Sequence, residues 1–337
     1  MFFVNFGKFK GTVALDFIIY GFAVLKNVIY GSSIFFTSRL TKNVDVLDVL
    51  ALRFLMSFSV LLLLKLSGLV KMNISLKDFS KKSGKRSMMI SLLLTGLFEP
   101  VLYMAFETLG ISMTTNITAA VILSLMPVSC VICEFVFLHE RIDLKKGIFL
   151  AIGMVGAIYI AINSQSDGRD SLWGILFILL AVITGALFVT FSRKSSASFN
   201  AMEITYFSCF MGAVAFNGIN IIRHLINGDI SSYFVPFMNA DNLVGFVFLA
   251  IISTIIATGM NNFALARMQV STMSAFTGLS TLVSIILGVM FNNEELHFYH
   301  YIGITLIMIR VIGIIRLTAG DNKKITENKE LENAKVL

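Results

Sequence analysis

A stretch of twenty-two residues from Ile117 to Leu138, predominantly apolar and interrupted by Pro127, limits what this chain can become. At 1.5 Å per residue a helix of that length reaches roughly 33 Å, enough to cross a hydrocarbon core of about 30 Å. The stretch closes on a charged cluster running from His139 through Glu140 and Arg141 to Lys146. A degenerate echo stands 154 positions later, where another apolar run ends in an acidic cluster and Glu294 takes the place of Glu140. The chain therefore reads as membrane-embedded, with one half repeating the other.

Composition agrees. Apolar residues make up 56% of the chain and charged ones 14%, with a mean hydropathy of +0.84, whereas soluble domains carry about a quarter charged residues. The apolar runs do not alternate, which selects helices over an outer-membrane barrel. The expected class is an all-α polytopic membrane protein whose obligatory partner is the lipid bilayer. The net charge of +7 fits Lys and Arg gathered in cytoplasmic loops better than a nucleic-acid surface, so no nucleic-acid partner is expected. Cys130, Cys133 and Cys209 all fall inside apolar runs without a second ligand pair, so packing is their expected role and neither a metal nor a cofactor is anticipated. The first run carries Lys26 at its middle and no small-residue cleavage pattern after it, so it reads as a span and not as a cleaved leader.

In chain order, residues 1–14 form a short head. Spans are expected at about 15–38, 46–66, 88–106, 117–138 and 147–162. Residues 163–170 make a polar external linker. A second set follows at about 172–191, 201–222, 243–265, 270–291 and 299–317, and 319–337 is a disordered cytoplasmic tail. Five and five give ten transmembrane helices in two units, 15–162 and 171–318. With both termini inside, nineteen Lys and Arg fall on the cytoplasmic side against Arg39, Lys42, Arg169 and Arg223 outside, which fixes the orientation. An odd number of spans per unit inverts the second relative to the first, as in inverted-repeat carriers. Direct support for the repeat lies in Leu125/Leu279, Ile132/Ile286, Phe137/Phe291, Glu140/Glu294 and Ile148/Ile302.

These residues resemble a known pattern. Leu125-Met126-Pro127 followed by Leu138-His139-Glu140, with Ala119-Ala120 upstream and Gly147, Gly153 and Gly156 downstream, is similar to the EamA half-repeat of the drug/metabolite transporter superfamily. Tyr30-Gly31-Ser32 and Leu52-Arg53-Phe54 resemble its first and second spans. In the second half Thr281 stands where the proline would be and Asn292 where the leucine would be. The likeness implies the ten-helix fold and a transporter.

An ionisable residue deep in a span marks a functional site by default. Lys26 and Glu99 lie at similar depth, where a static ion pair and a site for substrate or coupling proton are equally compatible with the pattern. Glu99 is the candidate for coupling. Asn27, Tyr30, Tyr103, Asn116, Asn217, Asn261 and Asn262, and with them Thr184, are the polar and aromatic candidates for a central cavity, each also able to serve as an interhelical hydrogen bond. Arg53 and Glu134 read as snorkelling or paired near the membrane faces, and Arg310 as a helix-packing or subunit contact ahead of a substrate contact. Pro127 is a helix break that leaves the Leu123 carbonyl without its donor, either as a packing kink or to open backbone to the cavity.

The expected function is a secondary transporter exporting a small organic metabolite, such as an amino acid or related compound, by alternating access with proton coupling, in the bacterial inner membrane. The alternatives are an uptake carrier of the same fold for a nucleotide-like, vitamin or amine cargo, and a non-transporting scaffold. No P-loop and no His-Glu-x-x-His motif occurs, so no enzyme is expected; monomer and homodimer both stay open.

Overall fold

A computed structural model describes residues 12–70, 83–138, 144–166, 170–268, 273, 276–310, 312–313 and 316–317. Most of the 1–14 head, much of the basic loop after the second span, Glu140 with its flanking residues, part of the 163–170 linker and the 319–337 tail lie outside the described residues, as does the side chain of Glu134.

Helices dominate, and no strand occurs among the described residues. They are α1 (Thr12–Thr41), α2 (Val46–Leu66), α3 (Met88–Ser112), α4 (Asn116–Phe137), α5 (Leu144–Ser166), α6 (Leu172–Ser195), α7 (Ala201–Asn227), α8 (Ala240–Leu265), α9 (Thr277–Asn292) and α10 (298–310). Seven, namely α1 to α4 and α6 to α8, are long and apolar enough to cross a membrane. The apolar part of α5 (Gly147–Ile160) and α9 are shorter. Local chemistry sets the ends. Asp45 accepts the Leu47 N–H at 2.9 Å to start α2, and Asn200 and Glu203 form a reciprocal capping box at 2.9 Å under α7, which closes on Gly228 at φ 71°, the left-handed position that glycine fills without strain.

Two long helices widen on the way across. In α3 the Leu97–Tyr103 segment takes π-helical i→i+5 turns around Pro100, and in α8 Phe248–Ala257 does the same. Insertions of this kind gather at functional sites. Helix α4 is discontinuous, with Asn116–Leu123 (α4a) and Met126–Cys133 (α4b) joined by a turn at Ser124–Leu125. This corrects the expected kink at Pro127. The break precedes the proline, which sits in the first turn of α4b, where its missing N–H costs nothing.

The two halves interleave. Helix α1 packs chiefly on α9 and α8, and α6 correspondingly on α4 and α3; α2 faces α7. Helix α5 meets α10, where a Cβ on Gly156 would lie 2.9 Å from the Gly303 carbonyl oxygen. Swapping α1–α5 for α6–α10 maps this set of pairings onto itself. Small residues set the closest crossings, as expected where packing and not water exclusion drives helix association. Leu63, Val155, Ile226 and Phe291 are more than half exposed, an apolar exterior that suits lipid and not water.

A polar cluster closes one end of the bundle. His224 places Nδ1 2.8 Å from Asp229 Oδ1 and Nε2 2.9 Å from Asp48 Oδ1. Both ring nitrogens face carboxylate oxygens, an arrangement that favours the imidazolium. Arg223 reaches Asp48 at 2.9 Å and also pairs with Asp45, and Asn220 donates to Asp48 at 2.8 Å. The cluster ties the start of α2 to the end of α7. Replacing His224 by Leu removes two charge-assisted bonds and is expected to lower stability by about 2 kcal/mol, read as the melting midpoint in detergent; an unchanged midpoint would show that the cluster does not hold the helix ends.

Candidate functional site

Between the halves lies a cavity of about 90 Å³. Helix α1 contributes Lys26, Asn27 and Tyr30, α2 Arg53, α3 Glu99, Tyr103 and Glu107, and α8 Ser253 and Asn261, while Leu123 and Met126 of α4 and Phe188 of α6 supply apolar wall. The widened turns of α3 and α8 both deliver residues here, Glu99 and Tyr103 from one and Ser253 from the other.

Six of the sequence-predicted residues meet in this cavity. Lys26 Nζ donates to Asn261 Oδ1 at 2.9 Å and stands 5.4 Å from the Tyr30 ring centroid. The Tyr30 hydroxyl is 3.2 Å from Thr258 Oγ1. Tyr103 donates to Glu107 Oε1 at 2.5 Å, and Asn27 donates to the Ala23 carbonyl at 2.6 Å with its own oxygen left unpartnered. Glu99 is 6% exposed, and its Oε2 has no hydrogen-bond partner. The Lys26–Glu99 ion pair weighed from the sequence does not form: no salt bridge joins them, and Lys26 bonds to Asn261 instead. Lys26, Arg53 and Glu107 all act on Glu99 through space. Two cations and two acids therefore share a low-dielectric space in which one carboxylate oxygen is unsatisfied, an arrangement able to take a proton or a solute's ammonium group.

The other three asparagines stand elsewhere. Asn217 donates to the carbonyls of Ala51 and Ala213 at 3.1 and 2.7 Å and accepts from Tyr233 at 2.5 Å, tying α7 to α2. Asn262 accepts from Ser192 at 2.9 Å and donates to Thr205 at 3.1 Å, joining α6, α7 and α8. Asn116 opens α4a, and its backbone N–H and that of Ile117 each donate to Glu294 at 3.0 Å. Burial pushes the Glu294 carboxyl above the usual carboxylate range, while these two N–H groups pull it back. Thr184 bonds only within its own helix.

Two residues of the cavity were misjudged from sequence. Arg53 does not snorkel; it is 2% exposed, with Nε donating to Thr254 Oγ1 at 2.9 Å and Nη2 to Ser253 Oγ at 3.4 Å. Glu107 was left beyond the end of the third span, yet α3 runs to Ser112 and buries it at 7% exposure. The signal was present as Glu99, Tyr103 and Glu107 at four-residue spacing, one polar stripe on an otherwise apolar helix.

Apolar helices long enough to span a bilayer, interleaved around a buried charged cavity, define a polytopic membrane protein. The model of the EamA-like transporter family matches residues 17–162 and 172–316, and the chain belongs to that family, within the drug/metabolite transporter superfamily. It is a transmembrane transporter of this family. Among relatives, the uncharacterized transporter YcxC of Bacillus subtilis (strain 168) is 30% identical over 292 residues, 86% of this chain and 90% of that one. An uncharacterized transporter of Archaeoglobus fulgidus is 25% identical over 66% of this chain and 75% of its own. The WAT1-related protein At3g02690, chloroplastic, of Arabidopsis thaliana is 21% identical over 66% of this chain and 54% of its own length. One protein of known crystal structure superimposes with a TM-score of 0.59 at 16% identity, over 87% of this chain and 98% of the other, a likeness of fold alone.

Proposed function

We propose that the protein is a secondary carrier that exports a small organic metabolite, such as an amino acid or related compound, by alternating access. It crosses the bacterial cytoplasmic membrane ten times, in two inverted five-helix units with both termini inside. The self-mapping pairings of α1–α5 with α6–α10 support two inverted units, and the excess of Lys and Arg on one side supports the orientation. Units related this way around a shared site can open it to one side and then the other.

The observation that carries the reading is the Glu99 carboxylate, with its Oε2 unpartnered, in a cavity that also holds Lys26 and Arg53. An amino acid brings one carboxylate and one ammonium group, which match those two cations and Glu99. Leu123, Met126 and Phe188 would meet its side chain. In this reading Glu99 exchanges a proton for cargo as the site changes sides.

Purified protein in proteoliposomes preloaded with a mixture of unlabelled amino acids should accumulate labelled ones by counterflow. Everted vesicles should take them up when the lumen is acidic. A non-transporting scaffold would show no counterflow with any solute, and that result would end the proposal.

A further inference from the structure

The last helix carries a buried cation that the cavity does not use. Arg310 is 0% exposed, the largest fully buried side chain among those described. Its Nη1 donates to the Ser124 carbonyl, and its Nε and Nη2 have no partner. Among the described residues no acid acts on it electrostatically. Room for it exists because residue 153 is glycine: a Cβ there would stand 3.1 Å from both Cβ and Cγ of Arg310.

Ser124 is the turn residue at the break in α4. The Ala120, Val121 and Ile122 carbonyls are met by the N–H groups of Ser124 and Leu125, whereas the Ser124 carbonyl, at the negative end of the α4a dipole, has no water to turn to. Arg310 supplies a donor there, with charge of the matching sign. The rest of α4a is also held by the second half. Glu294 accepts from the N–H groups of Asn116 and Ile117, Ser284 donates to the Asn116 carbonyl at 3.4 Å, and Thr281 donates to that of Ala120 at 3.2 Å. The half-helix is therefore clamped at both ends by residues from beyond position 280, while Leu123 and Met126, on either side of the break, line the cavity.

We infer that Arg310 is a positioning residue for transport, a strap by which the peripheral α10 holds the Ser124–Leu125 break in shape against the cavity, resting on the transporter reading of that cavity. Its two unpartnered donors are free to take up carbonyls released when the break deforms, so the strap holds the joint without freezing it. A buried guanidinium needed only for packing would be replaceable by an apolar chain of similar length.

The test uses full-length protein in proteoliposomes with a mixture of labelled neutral amino acids. Arg310→Met should keep KM within about threefold and lower the maximal rate at least about tenfold, with Arg310→Lys recovering most of the rate. Gly153→Ala, which crowds the arginine stem, should reproduce the defect if Arg310→Met fails to fold. A maximal rate within about twofold of wild type in Arg310→Met, or in Gly153→Ala should the Met variant not fold, overturns the strap. Backbone hydrogen exchange separates the two readings. Faster exchange at Ser124–Val128 in the variant is expected whether or not the wild type moves amino acids, and unchanged exchange there overturns the strap. Silence of the wild-type vesicles would count against the proposed function alone.

Discussion

Glu99→Gln is expected to abolish the pH dependence of transport and to lower proton-driven flux by at least about tenfold, while leaving the fold intact. Stability should survive because the change is isosteric and Glu99 Oε2 has no hydrogen bond to lose. It also removes any cost of keeping a charge in a buried space. Flux should fall because Gln can neither release a proton nor meet an ammonium group with a full negative charge. The measurement is initial rate in proteoliposomes across a range from acid to alkaline, with melting temperature as the control for folding. Unchanged rates and an unchanged profile would reject the coupling role for Glu99 and shift attention to Glu107, which already accepts a bond from Tyr103.

Gly31→Val should largely eliminate folded protein. A Cβ at this position would sit 2.8 Å from the Cβ of Val283 and 3.0 Å from the Cα of Ser280. The second of these is backbone, which no rotamer change can move aside, so α1 would have to back away from α9 along its length. Overpacking of that kind costs about 3 kcal/mol or more. The monodisperse fraction on size exclusion reads the outcome. Gly21 lies in the same helix with nothing within 4 Å of its Cβ position, so Gly21→Ala is the control and should be neutral or slightly stabilising. Equal yields from the two variants would contradict the crossing described.

Much of this architecture was legible because the bilayer leaves few choices. Run length gave the helices, and the Glu140/Glu294 echo pointed to a two-unit chain that the family match at 17–162 and 172–316 supports. Six cavity residues were legible for the same reason, since a polar group at mid-depth has nowhere to go but inward. What sequence hid was depth and partner. Arg53 looked close to a membrane face because the widened segment of α8 that supplies Thr254 and Ser253 leaves no periodic mark. Asn217 and Asn262 looked like Asn261, yet serve helix junctions, because which face of α7 or α8 meets the cavity is decided by packing across the halves. The break in α4 was displaced by the eye toward its proline, when Ser124 turns back on its own helix, its Oγ 2.5 Å from the Val121 carbonyl.

The interleaving of the halves has a consequence for biogenesis. The chief partners of α1 are α8 and α9, so the contacts at Gly31 await a segment made some 250 residues later. At synthesis rates of about 5–20 residues per second that wait is roughly 12–50 s. For that interval Lys26 sits in the bilayer or its insertion machinery without Asn261, and α6 emerges to find α3 and α4 already in place. Assembly is thus ordered by the ribosome, with the second half closing on a first half that cannot finish folding unaided. A gene cut between the halves should accordingly give two short-lived fragments that stabilise each other only when made in the same membrane.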